Sequence, residues 1–452
     1  MGPADKTRLF GTDGIRAPFG SYPLDRVTVR ALGLHLGERL TQGSTSPVVV
    51  LGGDTRSSTE EICNWLVEGL RQAGAAEHYG GVLPTPAIAH LVKELAADAG
   101  IAVSASHNPH PDNGIKLFSS EGVKWNVADE SELEGLLLHP VELDAPVEID
   151  LEVEPELAER YLRSLTERWR DTNPLSDLRV ALDTANGAAS PFAAEVFRQL
   201  GAKVSTLFDR PDGHNINAGC GSIHPEKLAQ TVVADGCDLG IAFDGDADRA
   251  IFVDERGEVQ DGDSLLYLWA AGLAREGELA PPRIVATTMS NLGLELALEK
   301  HGIGVVRCGV GDRTVVETMK REGIQLGGEQ SGHIVNAGLT TTGDGLVTAL
   351  EVSAVINSGA RPFSELLGDL VRLPQVLHNV RVASKPPLDG LPRVAAAARR
   401  IEDRLGDRGR LVLRYSGTEP LARVMIEGSE LVEIESMAAE LIDVIQQEVG
   451  ER

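Results

Sequence analysis

Cysteine is scarce in this chain of 452 residues: Cys63, Cys220, Cys237 and Cys308 are all it has. None stand in a C-x-x-C spacing, and they are too scattered for a disulfide framework. A reduced, cytoplasmic setting is the expectation. Long apolar runs are missing too. The longest, Leu265 to Ala274, is interrupted by Gly272 and falls short of the roughly 18 residues that span a bilayer. Met1 to Arg16 has no apolar h-region, so no secretory signal is expected. Lys6 stands where a myristoylation signal after Gly2 would need Ser or Thr. Positive charge is in deficit, with 42 Lys+Arg against 68 Asp+Glu and a net charge of −26. Nucleic-acid binders and membrane-surface proteins need a net basic face, so neither nucleic acid nor membrane is an expected partner. An anionic ligand would have to meet its cations in a local cluster.

What remains is the composition of an ordinary soluble protein, 42% hydrophobic and 24% charged. At about 150 residues per domain, roughly three domains are expected. Three segments share one grammar. Val48 to Leu51, Leu178 to Leu182 and Ile284 to Ala286 are apolar runs, each followed by a small polar loop and a helical pattern. The helices stop at Gly74, Gly201 and Gly302. Ser58 with Glu61 reads as a capping box for the first. A second strand then leads into a loop crowded with functional side chains: Ile101 to Val103, Leu239 to Phe243 and Ile324 to Leu326. Strand, helix, strand with short loops is the pattern of α/β units on a largely parallel sheet, whose ligands lie beyond the carboxyl ends of strands. The expected division is 1–145, 156–257 and 258–371, with a smaller α+β domain over 372–452. The acidic stretch 126–155 would hold the first connection.

The loops carry distinct chemistries. Asp244, Asp246 and Asp248 place three hard oxygen ligands at alternate positions, where they repel one another unless a cation is present. A solvated acidic turn would look the same in isolation. An EF-hand is excluded, since Arg249 stands where that loop needs Gly and strand-like runs flank it. Three carboxylates with open coordination positions suit Mg²⁺ bridging a phosphoryl oxygen. Ser104-Ala105-Ser106-His107-Asn108-Pro109 offers hydroxyls and an imidazole, but no G-x-S-x-G elbow of a serine hydrolase occurs anywhere. In an extended segment Ser106 and His107 point to opposite sides and need not pair. A serine can instead carry a phosphoryl group if cations offset its charge. Lys116 could return to that site as acid/base or charge partner. Gly327 to His333 is too glycine-rich for a helix and too polar for a strand; its Glu329 and Ser331 suit sugar hydroxyls or an amine. Arg414-Tyr415-Ser416-Gly417-Thr418 combines a guanidinium, hydroxyls and a glycine-freed backbone into an anion nest, with Arg423 as a second fork. Gly309-Val310-Gly311-Asp312-Arg313 is half a dinucleotide fingerprint and weak by itself.

Taken in order, Ala105–Pro109, Asp244–Arg249, Gly328–His333 and Arg414–Pro420, with Phe10–Arg16 as a fifth motif, resemble the α-D-phosphohexomutase superfamily over essentially the whole chain. Ala17 follows the fifth motif where the family commonly has Gly. The resemblance implies three related α/β domains with mixed or parallel sheets and a smaller C-terminal α+β domain around a central cleft. It implies a phosphoryl group on Ser106, which with Asp244, Asp246 and Asp248 would hold one Mg²⁺. It also implies a small-molecule sugar phosphate whose phosphate meets Arg414, Ser416, Gly417 and Thr418, and a sugar 1,6-bisphosphate as intermediate and activator. Arg16, His107, Lys116, Arg249 and His333 become the candidate local cations or acid/base groups, with Lys116 and His333 both open as the acid/base. Gln330 between Glu329 and Ser331 is the glucosamine-type version of its loop; mannose and glucose mutases more often carry Met there. Glucosamine 6-phosphate is therefore the expected substrate, with mannose or glucose phosphates as the alternative and a metal-dependent phosphatase or a silent binding protein as rivals. A homodimer is left open.

Overall fold

The computed structural model describes residues 9–139, 141–145, 149–170, 172–416 and 420–450. It divides into two compact units, Met1–Thr287 with Val306–Leu367, and Thr288–Val305 with Gly368–Arg452.

Three stretches of chain run through one order of elements. In the first, strands Val48–Gly53, Ala76–Val82 and Ala99–Val103 alternate with helices Thr59–Gln72 and Thr85–Glu94. In the second, Arg179–Asp183, Lys203–Leu207 and Leu239–Phe243 alternate with Ala193–Gln199 and Glu226–Asp235. In the third, Arg283–Thr287, Gly304–Cys308 and Leu326–Gly328 alternate with Leu292–Glu299 and Asp312–Glu322. Each continues into an antiparallel strand: Asp112–Ser119, Ala250–Asp254 or Ile334–Asn336. Hydrogen bonding sets all three in the same spatial order, namely antiparallel strand, third, first, second. The repeat expected from one helix and two strands is thus a larger unit. The middle strands escaped sequence reading because they lie at sheet edges, where Lys203–Leu207 buries none of its residues fully and needs no apolar run.

Within these units the apolar runs do what their composition demands. Val49, Leu51, Ile101 and Val103 of the first sheet pack with Ile62, Leu66 and Leu70 of the first helix, all essentially fully buried. Each such side chain contributes about 1.5–3 kcal/mol by leaving water. Local details differ from expectation. Ser58 makes no side-chain cap on the helix Thr59–Gln72; its hydroxyl donates to Asn113 Oδ1 at 2.6 Å instead. The helix that ends before Gly201 starts only at Ala193, because Ala185 and Asn186 turn through left-handed φ of 55° and 48°. Gly327 and Gly328 belong to a strand, not a loop. Ala17 lies in the strand Gly14–Pro18 opposite Asn113, an extended conformation that does not call for glycine.

In the C-terminal unit, strand Leu421–Gly428 runs antiparallel between Gln375–Arg381 and Gly409–Tyr415. Helices Pro392–Leu405 and Leu431–Val449 bury Val394, Ile401, Leu441 and Ile445 against Val424 and Ile426. This is the expected α+β domain. Among the described residues no helix is long and apolar enough to cross a membrane.

Candidate active site

Ser106 follows the first sheet's third parallel strand and is wholly buried. Its φ of 50° is left-handed, so the segment is not extended there. That turn corrects the expectation of opposed side chains: Ser106 Oγ comes within 3.3 Å of His107 Nδ1. The hydroxyl donates to Asp244 Oδ2 at 2.5 Å. Burial lowers the His107 pKa, and Arg249 and Arg16 add to the effect against Asp248 and Asp246. The imidazole facing Ser106 is therefore neutral near pH 7.

The corresponding loop of the second repeat brings Asp244, Asp246 and Asp248 together, one oxygen from each lying within 4.8 Å of the others. All three are buried. Burial, then the charges of Asp248 and Asp246, push the Asp244 carboxyl well above its usual range. Lys116 opposes that repulsion. Its ammonium, 1% exposed, lies 2.8 Å from Asp246 Oδ2, 3.2 Å from Asp248 Oδ2 and 3.1 Å from Asp13 Oδ2. Burial alone would neutralise it, but Asp13, Asp246 and Asp248 hold its pKa well above the ordinary lysine value. Asp246 Oδ1 and Asp248 Oδ1 remain buried without a hydrogen-bond partner among the described residues. Two orphaned carboxylate oxygens in a buried acidic triplet are what a hard divalent cation would satisfy, so the residues present fit one.

Several cations surround this centre. Arg249 is held charged by Asp248 and Asp244 despite its burial, and its Nε lies 3.7 Å from Asp248 Oδ1. Arg16 pairs with Asp13 at 2.5 Å, while its buried Nη1 has no hydrogen-bond partner among the described residues. Asp13 also meets Lys124 at 2.5 Å, and Lys124 pairs with Asp312. Asp312 Oδ2 lies 3.9 Å from His333 Nε2. The sequence reading missed the roles of Asp13, Lys124 and Asp312. Asp13 sits inside the Phe10–Arg16 motif, but nothing local to Lys124 distinguishes it from a surface lysine. Both ring nitrogens of His333 are buried without a hydrogen-bond partner among the described residues.

In the third repeat, Glu329 Oε1 accepts from the Gly311 N–H at 2.9 Å, so the glycine pair before helix Asp312–Glu322 serves this carboxylate. Ser331 Oγ is buried with no hydrogen-bond partner among the described residues. The Gln330 side-chain amide turns towards Asp263 Oδ2, 3.5 Å away, and the Gln330 backbone carbonyl accepts from the Gly262 N–H at 2.9 Å.

Arg414, Ser416 and Arg423 belong to the C-terminal unit. Arg414 and Arg423 are direct cross-strand partners. The Ser416 carbonyl accepts from Lys385 Nζ at 2.7 Å. Gly417 and Thr418 lie outside the described residues.

Residues 7–140, 159–257 and 261–373 match alpha/beta/alpha domains I, II and III of phosphoglucomutase/phosphomannomutase, and 377–444 match its C-terminal domain. A phosphoglucosamine mutase from Syntrophotalea carbinolica is 44% identical, covering 99% of both chains. In fold the chain is similar to a phosphoglucomutase/phosphomannomutase family protein from Burkholderia thailandensis (TM-score 0.79, 23% identity, 98% of both chains). It is also similar to N-acetylphosphoglucosamine mutase from Aspergillus fumigatus, solved in complex with GlcNAc-6P and magnesium (TM-score 0.68, 17% identity, 99% of this chain and 97% of that one).

Proposed function

The chain belongs to the phosphoglucosamine mutase family of phosphohexomutases, and from that premise we propose that it interconverts glucosamine 6-phosphate and glucosamine 1-phosphate through a phosphorylated Ser106. One observation carries the reading: Ser106 Oγ points from a strained turn onto Asp244, 2.5 Å away, in a buried carboxylate triplet with two orphaned oxygens.

The forward half-reaction breaks the P–Oγ bond of phosphoserine and forms a P–O1 bond on glucosamine 6-phosphate, giving the 1,6-bisphosphate. The O1 proton leaves to a base, and Ser106 Oγ regains one. The second half returns the 6-phosphoryl group to Oγ and frees glucosamine 1-phosphate. Run from added sugar 1,6-bisphosphate, that second step loads an unphosphorylated enzyme. Asp244, Asp246 and Asp248 would hold Mg²⁺, which when bound neutralises charge on the transferring phosphoryl group. Lys116, kept protonated by its carboxylates, gives a proton to the leaving Oγ and, as the amine so formed, takes the one released from O1. Neutral His107, 3.3 Å from Oγ, holds the hydroxyl in place. Arg249 and the free Nη1 of Arg16 offset charge on phosphoryl oxygens, and His333 faces the same centre through Asp312. Glu329 and Ser331 take sugar hydroxyls or the amine. In the C-terminal unit, Arg414 and Arg423 would take the substrate's phosphate, with Ser416 beside them in sequence. The reaction is mostly positioning and charge neutralisation.

The test is ³¹P NMR of the protein with Mg²⁺ and a trace of sugar bisphosphate, offered glucosamine, glucose or mannose 6-phosphate in parallel. Fastest appearance of a 1-phosphate from the glucosamine ester is the expected result. Preference for glucose or mannose overturns the substrate. Free phosphate with no 1-phosphate overturns the mutase.

A further inference from the structure

The strained turn at Ser106 is held by groups that none of the steps above use. A φ of 50° is uncommon for any L-residue lacking Asn or Asp chemistry. The Ser106 carbonyl accepts from Asn217 Nδ2 at 2.8 Å and Arg56 Nη2 at 3.3 Å. The Asn108 carbonyl accepts from the same two side chains at 3.0 and 2.8 Å, and the Pro109 carbonyl from Arg56 Nη1 at 2.6 Å. Arg56 Nε donates to Asp54 Oδ2 at 2.9 Å. That oxygen also accepts from Ser104 Oγ at 2.5 Å, and Ser104 Oγ accepts the Ser106 N–H at 2.9 Å. The bonds close a ring that starts and ends on Ser106.

Arg56 and Asp54 are 1% and 0% exposed. The guanidinium fork is engaged by backbone carbonyls and its charge is matched by Asp54, so it is not a phosphate ligand. Asn217 comes from the second repeat, which Thr55 Oγ1 also reaches at the Asn186 carbonyl, 2.5 Å away. A Cβ on Gly245, between Asp244 and Asp246, would stand 2.6 Å from the Ser106 carbonyl oxygen. The serine loop and the carboxylate loop therefore pack backbone to backbone, and a shift of one displaces the other.

We infer that Arg56 and Asn217 are positioning residues, clamping the carbonyls of the serine loop so that Ser106 Oγ stays aimed at the carboxylate triplet of the neighbouring repeat. The inference rests on the phosphoserine reading above. Arg56→Met, Arg56→Lys and Asn217→Ala, in the full chain, test it by kcat and KM for glucosamine 6-phosphate alongside thermal unfolding. Misplacement by about 1 Å can cost about 100-fold in rate, so Arg56→Met should lose about that in kcat with KM within threefold of the parent. Arg56→Lys should recover part of the loss, and Asn217→Ala, which removes two bonds, should fall about tenfold. A folded Arg56→Met with parental kcat overturns the clamp, as does a loss confined to KM, which would put Arg56 on the substrate. Should Arg56→Met fail to fold, Arg56→Lys and Asn217→Ala decide by the same criteria. Should the parent itself make no glucosamine 1-phosphate, the proposed function falls; hydrogen exchange across residues 104–109 then tests the clamp alone. Faster exchange in Asn217→Ala supports it and unchanged exchange overturns it.

Discussion

Lys116→Met removes a charge at nearly constant length from the most crowded electrostatic point of the molecule. In the parent, the ammonium is within 3.2 Å of Asp13, Asp246 and Asp248, the last two buried beside a carboxyl, Asp244, already pushed up by burial and its neighbours. Removing one partner of a buried ion pair costs about 3–5 kcal/mol, because the other charge is left uncompensated. Here two members of one triplet lose the same cation, which puts the cost at the upper end. The assay is denaturant unfolding in EDTA, then with Mg²⁺. In EDTA the variant should lose about 5 kcal/mol against the parent. A divalent cation substitutes for the missing charge, so Mg²⁺ should stabilise the variant more than the parent. A 30-fold tighter apparent affinity corresponds to about 2 kcal/mol of extra stabilisation. The sign with pH is fixed as well. Because the folded pKa of Lys116 is raised, its contribution is fully present below the unfolded lysine value of about 10.4 and disappears only as pH rises through the folded value. The deficit should therefore be flat from about pH 6 to 9. A variant as stable as the parent in EDTA, or one that gains less from Mg²⁺, would refute this account of the triplet.

Ser106→Ala should abolish mutase turnover while leaving unfolding cooperative and Mg²⁺ stabilisation in place; full activity would end the phosphoserine mechanism. Arg414→Ala should weaken substrate binding by roughly 2–4 kcal/mol if a charge-assisted pair is lost, read as a raised KM, and an unchanged KM would move the phosphate site elsewhere. Glu351→Gln addresses a pH effect away from the chemistry. Burial raises the Glu351 pKa to about 7, against the Arg168 charge 2.6 Å away, since Arg168 is 42% exposed and screened by water. A raised carboxyl stabilises the fold below its unfolded pKa, and that support is lost as pH rises towards 7. Relative to the parent, the glutamine variant should gain on the order of 3 kcal/mol between pH 4 and 8, measured by urea unfolding at each pH, and a constant difference would show that Glu351 titrates normally.

The chain's own order of residues determined the repeat and its chemistry. Apolar runs ending in small polar loops are local features, and side chains such as Asp244, Asp246 and Asp248 are close in space because they are close in sequence. Reading them needed only strand and turn periodicity. The C-terminal α+β domain was legible for the same reason: its helices Pro392–Leu405 and Leu431–Val449 carry their own apolar faces. Short edge strands such as Lys203–Leu207 were not, because a half-exposed strand leaves no apolar run to find.

Only tertiary structure decided what each side chain does. Ser58 has the sequence of a cap, yet Asn113, 55 positions away, takes its hydroxyl. Ser106 and His107 would diverge on a strand and meet on a left-handed turn. Asp13, Lys124 and Asp312 form one chain of charges across 299 residues of sequence, and Arg56 reaches a loop 50 residues on. A lysine or arginine is ordinarily solvated, and nothing in its neighbours along the chain says otherwise. Burial is what turns it into a structural charge, because a cation out of water must find carboxylates or carbonyls, and which of them it finds is settled by the packing of distant strands.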